Sequence, residues 1–274
     1  MTSIMTASGW NVREVKPPRR STRAGGGKSD PNDAVAAVRS ILSADHEALA
    51  QPRAEGLRAA LRVLLAARRS LDVQRTADRN ALTAHVRTVD LGIDVRHPLT
   101  DAQVSGIASW RIRTREDTAI AVNRAEAKRL ATGILRRTRE PTDNQRAQST
   151  HVNSLAKGLQ DISGLGPVTA AIILTAYSHR GQVRSEAAFA ALAGVNPIPA
   201  SSGNTTRHRL NRYGDRQLNR AFDVIARVRM LPDPETRAYA ERRTAEGKSR
   251  REIRRCLKRF ISRQIYRQLQ SIMS

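Results

Sequence analysis

Hydrophobic residues recur at three- and four-residue spacing along most of this chain, and runs that alternate every second residue are rare. Leu57, Leu61, Leu64, Leu65, Leu71, Ala81, Leu82 and Val86 fall near heptad spacing with arginines between them, predicting one long helix over about 52–89. Gly92 to Thr100 interrupts the pattern. Ile120, Val122, Ala127, Leu130, Ile134 and Leu135 then predict a second long helix over about 114–139 that stops before Pro141. Two long amphipathic helices joined by a loop fit either a projecting antiparallel coiled-coil arm that pairs subunits or an ordinary helix-bundle core.

The flanking segments are shorter. Trp10–Val15 is the one plausible strand, and it has no second strand to pair with. Residues 17–28, Pro-, Gly- and Arg-rich, read as a basic loop. Asp30-Pro31-Asn32-Asp33 then opens a helix to about residue 43. Asp30 suits the N-cap and Asp33 the capping-box position, while two carboxylates three apart at a helix start also share a face that can hold a divalent metal. After Pro141 a short polar helix leads to Ile162-Ser163-Gly164-Leu165-Gly166-Pro167-Val168-Thr169. Two glycines supply a tight turn and Pro167 starts the next helix, which predicts a helix-hairpin-helix whose outward amides grip one phosphate. The alternative is a plain interhelical turn.

A short helix over about 187–193 ends at Gly194. Asn196-Pro197 and Ile198-Pro199 deny helix to the residues after them, so Ser201-Ser202-Gly203-Asn204 is a loop. Helices over about 215–229 and 237–267 close the chain, the last with Ile253, Leu257, Phe260, Ile261 and Ile265 on one face and Arg and Lys on the other.

Charge changes the picture. Lys and Arg number 48 against 25 acids, a net charge of +23, which calls for a polyanionic partner. No apolar run is long enough to span a membrane. A lone Cys256 and scattered histidines have no zinc-ligand spacing and suit a reducing compartment. With only 3% aromatics, base stacking on aromatic platforms is a poor fit, and contact through phosphates a better one. Arg207, His208, Arg209 and Arg212 stand ready to hold phosphate oxygens beside the hydroxyls of Ser201 and Ser202.

Together these blocks resemble transposases of the IS110/IS116/IS902 family. The stronger match runs from about Leu155 to Met230: the Gly-Leu-Gly-Pro-Val-Thr-Ala-Ala hairpin, Phe189-Ala-Ala-Leu-Ala-Gly-Val-Asn-Pro197, the Ser-Gly pair, the basic run, and Gly214-Asp215 leading into Leu218-Asn219-Arg220-Ala221. The weaker is Lys28-Ser29-Asp30-Pro31-Asn32-Asp33-Ala34, similar to a Lys-x-Asp-x-x-Asp-Ala motif. The resemblance implies a mainly α chain in three parts: the remnant of an α/β RuvC-like (RNase H-like) domain over 1–50, a coiled-coil helical arm over 51–150, and a helix-hairpin-helix-containing transposase domain over 151–274. It implies DNA strand cleavage and exchange, Ser202 as nucleophile with Ser201 as fallback, and Asp30 and Asp33 as Mg²⁺ ligands and catalytic groups. It further implies nucleic-acid contacts at Gly164, Gly166, Thr169, Arg207, Arg209 and Arg212, with DNA and a structured guide RNA as partners. The other expectations are a homo-oligomer formed through the arm, no membrane association, and a cytoplasmic, nucleoid-associated location.

The family's first aspartate and its glutamate precede the strand matching Trp10–Val15, and residues 1–9 contain no acid. The sequence therefore reads as N-terminally truncated. That supports a second reading, a catalytically inactive nucleic-acid-binding remnant that associates with intact transposase.

Overall fold

The computed structural model describes residues 2–13, 30–42, 56–94, 96–111, 116–179, 181–200, 208–209 and 211–273. The chain is mainly helical, as its periodicity predicts. It divides into two compact units, one formed by Ala60–Ile172 and the other by Met1–Ala59 with Ile173–Ser274.

The first unit is built on helices α3 (Gly56–Thr88) and α5 (Thr118–Leu155), whose polar contacts run in opposite directions along the two chains. Asn144 Nδ2 donates to Leu64 O at 3.0 Å, Arg68 Nη1 to Pro141 O at 2.9 Å, and Arg137 pairs with Asp78 at 2.5 Å. His85 Nε2 lies 3.0 Å from Asn123 O. The α3 partner advances from 64 to 85 as the α5 partner retreats from 144 to 123, so the pair is antiparallel. Between them in sequence lies α4 (Asp101–Ala108), which the apolar pattern did not reveal. Thr100 and Gln103 close a capping box at its start. Val104 and Ile107 of α4 join Leu82, Val86, Ala127, Ala131 and Ile134 in one apolar cluster, where the two alanines let α4 approach α5 closely.

Helix α5 does not stop before Pro141, contrary to expectation. It continues through that residue and absorbs the short polar helix foreseen after it. Proline costs the helix one amide donor. Across the helix pair, the Arg68 guanidinium binds the Pro141 carbonyl, and buried Asn144 and Gln148 tie the following turn together, Gln148 Nε2 donating to Asn144 Oδ1 at 2.8 Å. Tertiary contacts thus outweigh the local penalty.

In the second unit, α7 (Glu186–Leu192), α8 (Arg216–Arg229) and α10 (Arg250–Ile272) pack together, with α9 (Pro234–Ala245) against α10. Ile253, Leu257, Ile261, Ile265 and Leu269 recur every fourth residue and are buried. They meet Tyr177, Phe189, Phe222 and Tyr266, whose rings lie 5.9–6.3 Å apart, mostly edge to face. Both phenols are satisfied: Gln270 Nε2 donates to Tyr177 Oη at 2.7 Å, and Tyr266 Oη donates to Val183 O at 3.1 Å. Four of the nine aromatics of this chain therefore serve this core, while Trp10, Tyr213 and Phe260 are exposed.

Two further expectations are corrected. The single helix foreseen over 237–267 is two, because Asp233 and Pro234 start α9 upstream and the Glu246–Lys248 turn hands over to a Ser249–Glu252 capping box that starts α10. Residues 10–13 form no strand. They come after a short helix α1 (Thr2–Ala7), and among the described residues no strand runs alongside to complete a ladder. Glu14 and Val15 lie outside the described residues. Asp30 does open a helix, α2 (Asp30–Ile41).

Candidate nucleic-acid interface

A two-stranded ribbon organises the site. Strand β1 (Ile198–Pro199) pairs antiparallel with β2 (His208–Arg209), Ile198 opposite Arg209 and Pro199 opposite His208. The chain between the strands carries Ser201, Ser202 and Arg207, all three outside the described residues. What can be built is the base of that loop.

The base is a close crossing of two backbone segments. A Cβ on Gly214 would stand 2.2 Å from Gly194 N and 2.4 Å from Gly194 Cα, so only glycine fits there. Gly194 itself has φ 63°, the left-handed conformation that glycine takes freely. Asp215 N donates to Leu192 O at 2.7 Å across the crossing. Asn211 Nδ2 donates to Asn196 Oδ1 at 2.7 Å, and Asn219 Nδ2 to Ala193 O at 2.7 Å and Gly194 O at 3.2 Å. Asp215 also caps α8, its Oδ1 accepting from Gln217 N and Leu218 N. One short stretch thus fixes the ribbon's foot and starts a helix.

Beside this crossing opens a cleft of about 560 Å³. Arg212 lines it from the loop, Arg216 and Arg220 from α8, and Arg251, Arg254, Arg255 and Lys258 from α10. The carboxylate of Asp223 is the single acid in the lining. It is already engaged, 3.1 Å from Arg227 Nε and 3.5 Å from Arg254 Nη1. Among the described residues, no ion pair joins Arg212, Arg216, Arg220 or Arg251 to an acid, and the Arg255 charge acts on Glu252. Lys258 is only 9% exposed and donates to Asn219 Oδ1 at 2.9 Å. Burial pulls its ammonium below the ordinary 10.5, against the nearby Asp223 charge, while Arg254 and Arg255 push it down further. Seven cations gathered around one acid form a standing anion site.

Arg209 and Arg212, both expected to hold phosphate, flank the ribbon's foot and are exposed. Gly164 takes φ 76° in a turn after a 3₁₀ segment (Leu159–Asp161), Leu165 is buried beneath it, and exposed Gly166 precedes α6 (Pro167–Tyr177). The first amides of α6 have no intrahelical partner, as at any helix start. Thr169 is buried, and its hydroxyl donates to Gly166 O at 2.9 Å. The hairpin belongs to the first unit and the cleft to the second. Asp30 and Asp33 sit in the first turn of α2, where residues three apart share a face. Their side chains lie outside the described residues, and among the described ones no three His, Cys, Asp or Glu cluster as metal ligands. Asn211 and Lys258 were not singled out from the sequence, and Asn219 only within the Leu218–Ala221 motif. No spacing signal marks them, since a clamp between distant carbonyls has no local pattern.

Residues 156–241, which include the hairpin, the ribbon and the α8 wall of the cleft, match the family described as Transposase IS116/IS110/IS902. The chain is also 32% identical over 114 residues to the insertion element IS110 uncharacterized 43.6 kDa protein of Streptomyces coelicolor. That match takes in 39% of this chain and 28% of the relative's length. Among the described residues, no helix is long and apolar enough to cross a membrane.

Proposed function

We propose that this chain is a nucleic-acid-binding transposase of an insertion sequence, cutting and exchanging DNA strands. The observation that carries the reading is the coincidence of the family match with the cation-rich cleft at the foot of the β1–β2 ribbon. Ser202 stands three residues beyond Pro199, so it stays within about 11 Å of the ribbon end at full extension. Arg209, Arg212 and the cleft arginines would grip the phosphodiester that it attacks.

In the proposed reaction the Ser202 hydroxyl oxygen forms a bond to phosphorus and the bond from phosphorus to one deoxyribose oxygen breaks. The hydroxyl proton leaves to solvent, and the released sugar oxygen takes one up. The guanidiniums offset the charge on the five-coordinate phosphorus. The serine–phosphate ester keeps the strand end activated for attack by a new sugar hydroxyl.

Asp30 and Asp33 would supply two of the four carboxylates that the family resemblance implies for Mg²⁺, and on their own they hold it poorly. When bound it would polarise the scissile phosphate. The Gly164–Gly166 hairpin contributes amides to a backbone phosphate, a guide RNA chooses the sequence by base pairing, and the α3–α5 pair offers a surface for a second copy. Such a protein would reside with the nucleoid.

The test compares wild type with Ser202→Ala in a strand-exchange assay with element-end DNA, guide RNA and Mg²⁺. Expected is loss of covalent protein–DNA product and of exchange, with DNA binding retained. Equal product from both would remove Ser202 from the mechanism. Metal-dependent cleavage by wild type would exclude the binding-only reading.

A further inference from the structure

Lys258 is a costly residue as it stands. The residue is 9% exposed, its ammonium donates to the neutral Asn219 Oδ1, and it shares its surroundings with one acid, Asp223, and with Arg254 and Arg255. Burial without a paired anion disfavours a charge, and a methionine of similar length would fill the space at less cost. An ammonium has three donors, and one of them goes to Asn219. Lys258 also lines the cleft. Asn219 in turn donates to Ala193 O and Gly194 O, the segment that Gly214 crosses. An anion on Lys258 is therefore two hydrogen bonds from the foot of the ribbon.

We propose that Lys258, Asn219 and the Gly194–Gly214 crossing form a phosphodiester subsite, in which one backbone phosphate bound to the Lys258 ammonium is held beside that crossing at the foot of the β1–β2 ribbon. This rests on the nucleic-acid reading and sharpens it. The outer arginines attract the polyanion, whereas Lys258 fixes where one phosphate sits. Lys258 acts here as a ligand-binding and positioning group, not as a partner in bond making.

The test uses the full chain, a short DNA duplex, an RNA hairpin of equal phosphate count, and inorganic phosphate at matched ionic strength. Affinity is measured as a function of salt for wild type, Lys258→Met and Lys258→Arg, alongside thermal midpoints. Lys258→Met should keep or raise the midpoint while lowering the slope of log affinity against log salt by about 0.9, the share of one phosphate. Lys258→Arg should restore the slope. A purely structural lysine gives the opposite pair, a lowered midpoint and an unchanged slope, and would overturn the proposal. Whichever polymer shows the slope change is the source of the phosphate. Protection by inorganic phosphate alone would overturn the backbone assignment. If wild type binds neither polymer, the broader nucleic-acid reading fails first, an outcome distinct from a wild type that binds with a slope indifferent to position 258.

Discussion

The two units of this chain handle positive charge in different ways. Residues 60–172 hold 18 Lys and Arg against 11 acids, and among the described residues the ion pairs include Arg68 with Asp72, Arg79 with Asp101, Arg124 with Glu116 and Arg137 with Asp78. Residues 173–274 hold 21 against 8, and there one acid serves several cations. Glu186 meets Arg259, Arg263 and Arg267, and Asp223 meets Arg227 and Arg254. The first arrangement ties helices together. The second leaves charge over, and that surplus lines the cleft.

The comparison breaks most readily at the cores. If aromatic packing holds the second unit against its own repulsion, Phe189→Ala should cost about 4 kcal/mol and raise hydrogen exchange in α7, α8 and α10. A change below about 1 kcal/mol would mean that the ring cluster is not the keystone. Gly214→Ala should cost about 3 kcal/mol because backbone, not a movable side chain, blocks the new methyl. Gly166→Ala in the first unit meets nothing within 4 Å and should leave the thermal midpoint almost unchanged. Asn144→Ala should cost about 2 kcal/mol by leaving the buried Gln148 amide without its acceptor.

Smaller effects depend on pH. The guanidiniums of Arg263 and Arg259 hold the Glu186 carboxyl below its ordinary 4.5. A depressed folded value means the contribution is present above about 4.5 and lost as pH falls through the folded value. Wild type and Glu186→Gln should therefore differ in thermal midpoint at neutral pH and converge in acid. A constant difference would contradict this. The smallest effect belongs to Arg146→Gln, an exposed pair with Asp143, expected within about 0.5 kcal/mol.

Much of this was legible in the sequence. The apolar periods announced α3, α5 and α8, and Asp30 marked the start of α2. The basic face of α10 was foreseen too. Helix α4 escaped because eight residues give too little period, although Thr100 and Gln103 carried a capping signal. Pro141 misled because the support for α5 at that point comes from Arg68, 73 positions away in sequence. The Asn219–Lys258 link was illegible for the same reason, since its members lie 39 positions apart on two helices.

The most direct measurement compares two charge-matched fourfold variants of the full chain. One replaces Arg212, Arg216, Arg220 and Arg255 of the cleft with Gln; the other replaces exposed Arg62, Arg69, Arg136 and Arg139 of the helix pair. Each is titrated with duplex DNA across a range of salt. The cleft variant should lose about 0.9 from the log–log slope for each phosphate released, while the helix-pair variant keeps most of the wild-type slope. Equal losses from both would show that position in the cleft is irrelevant and that net charge alone binds DNA.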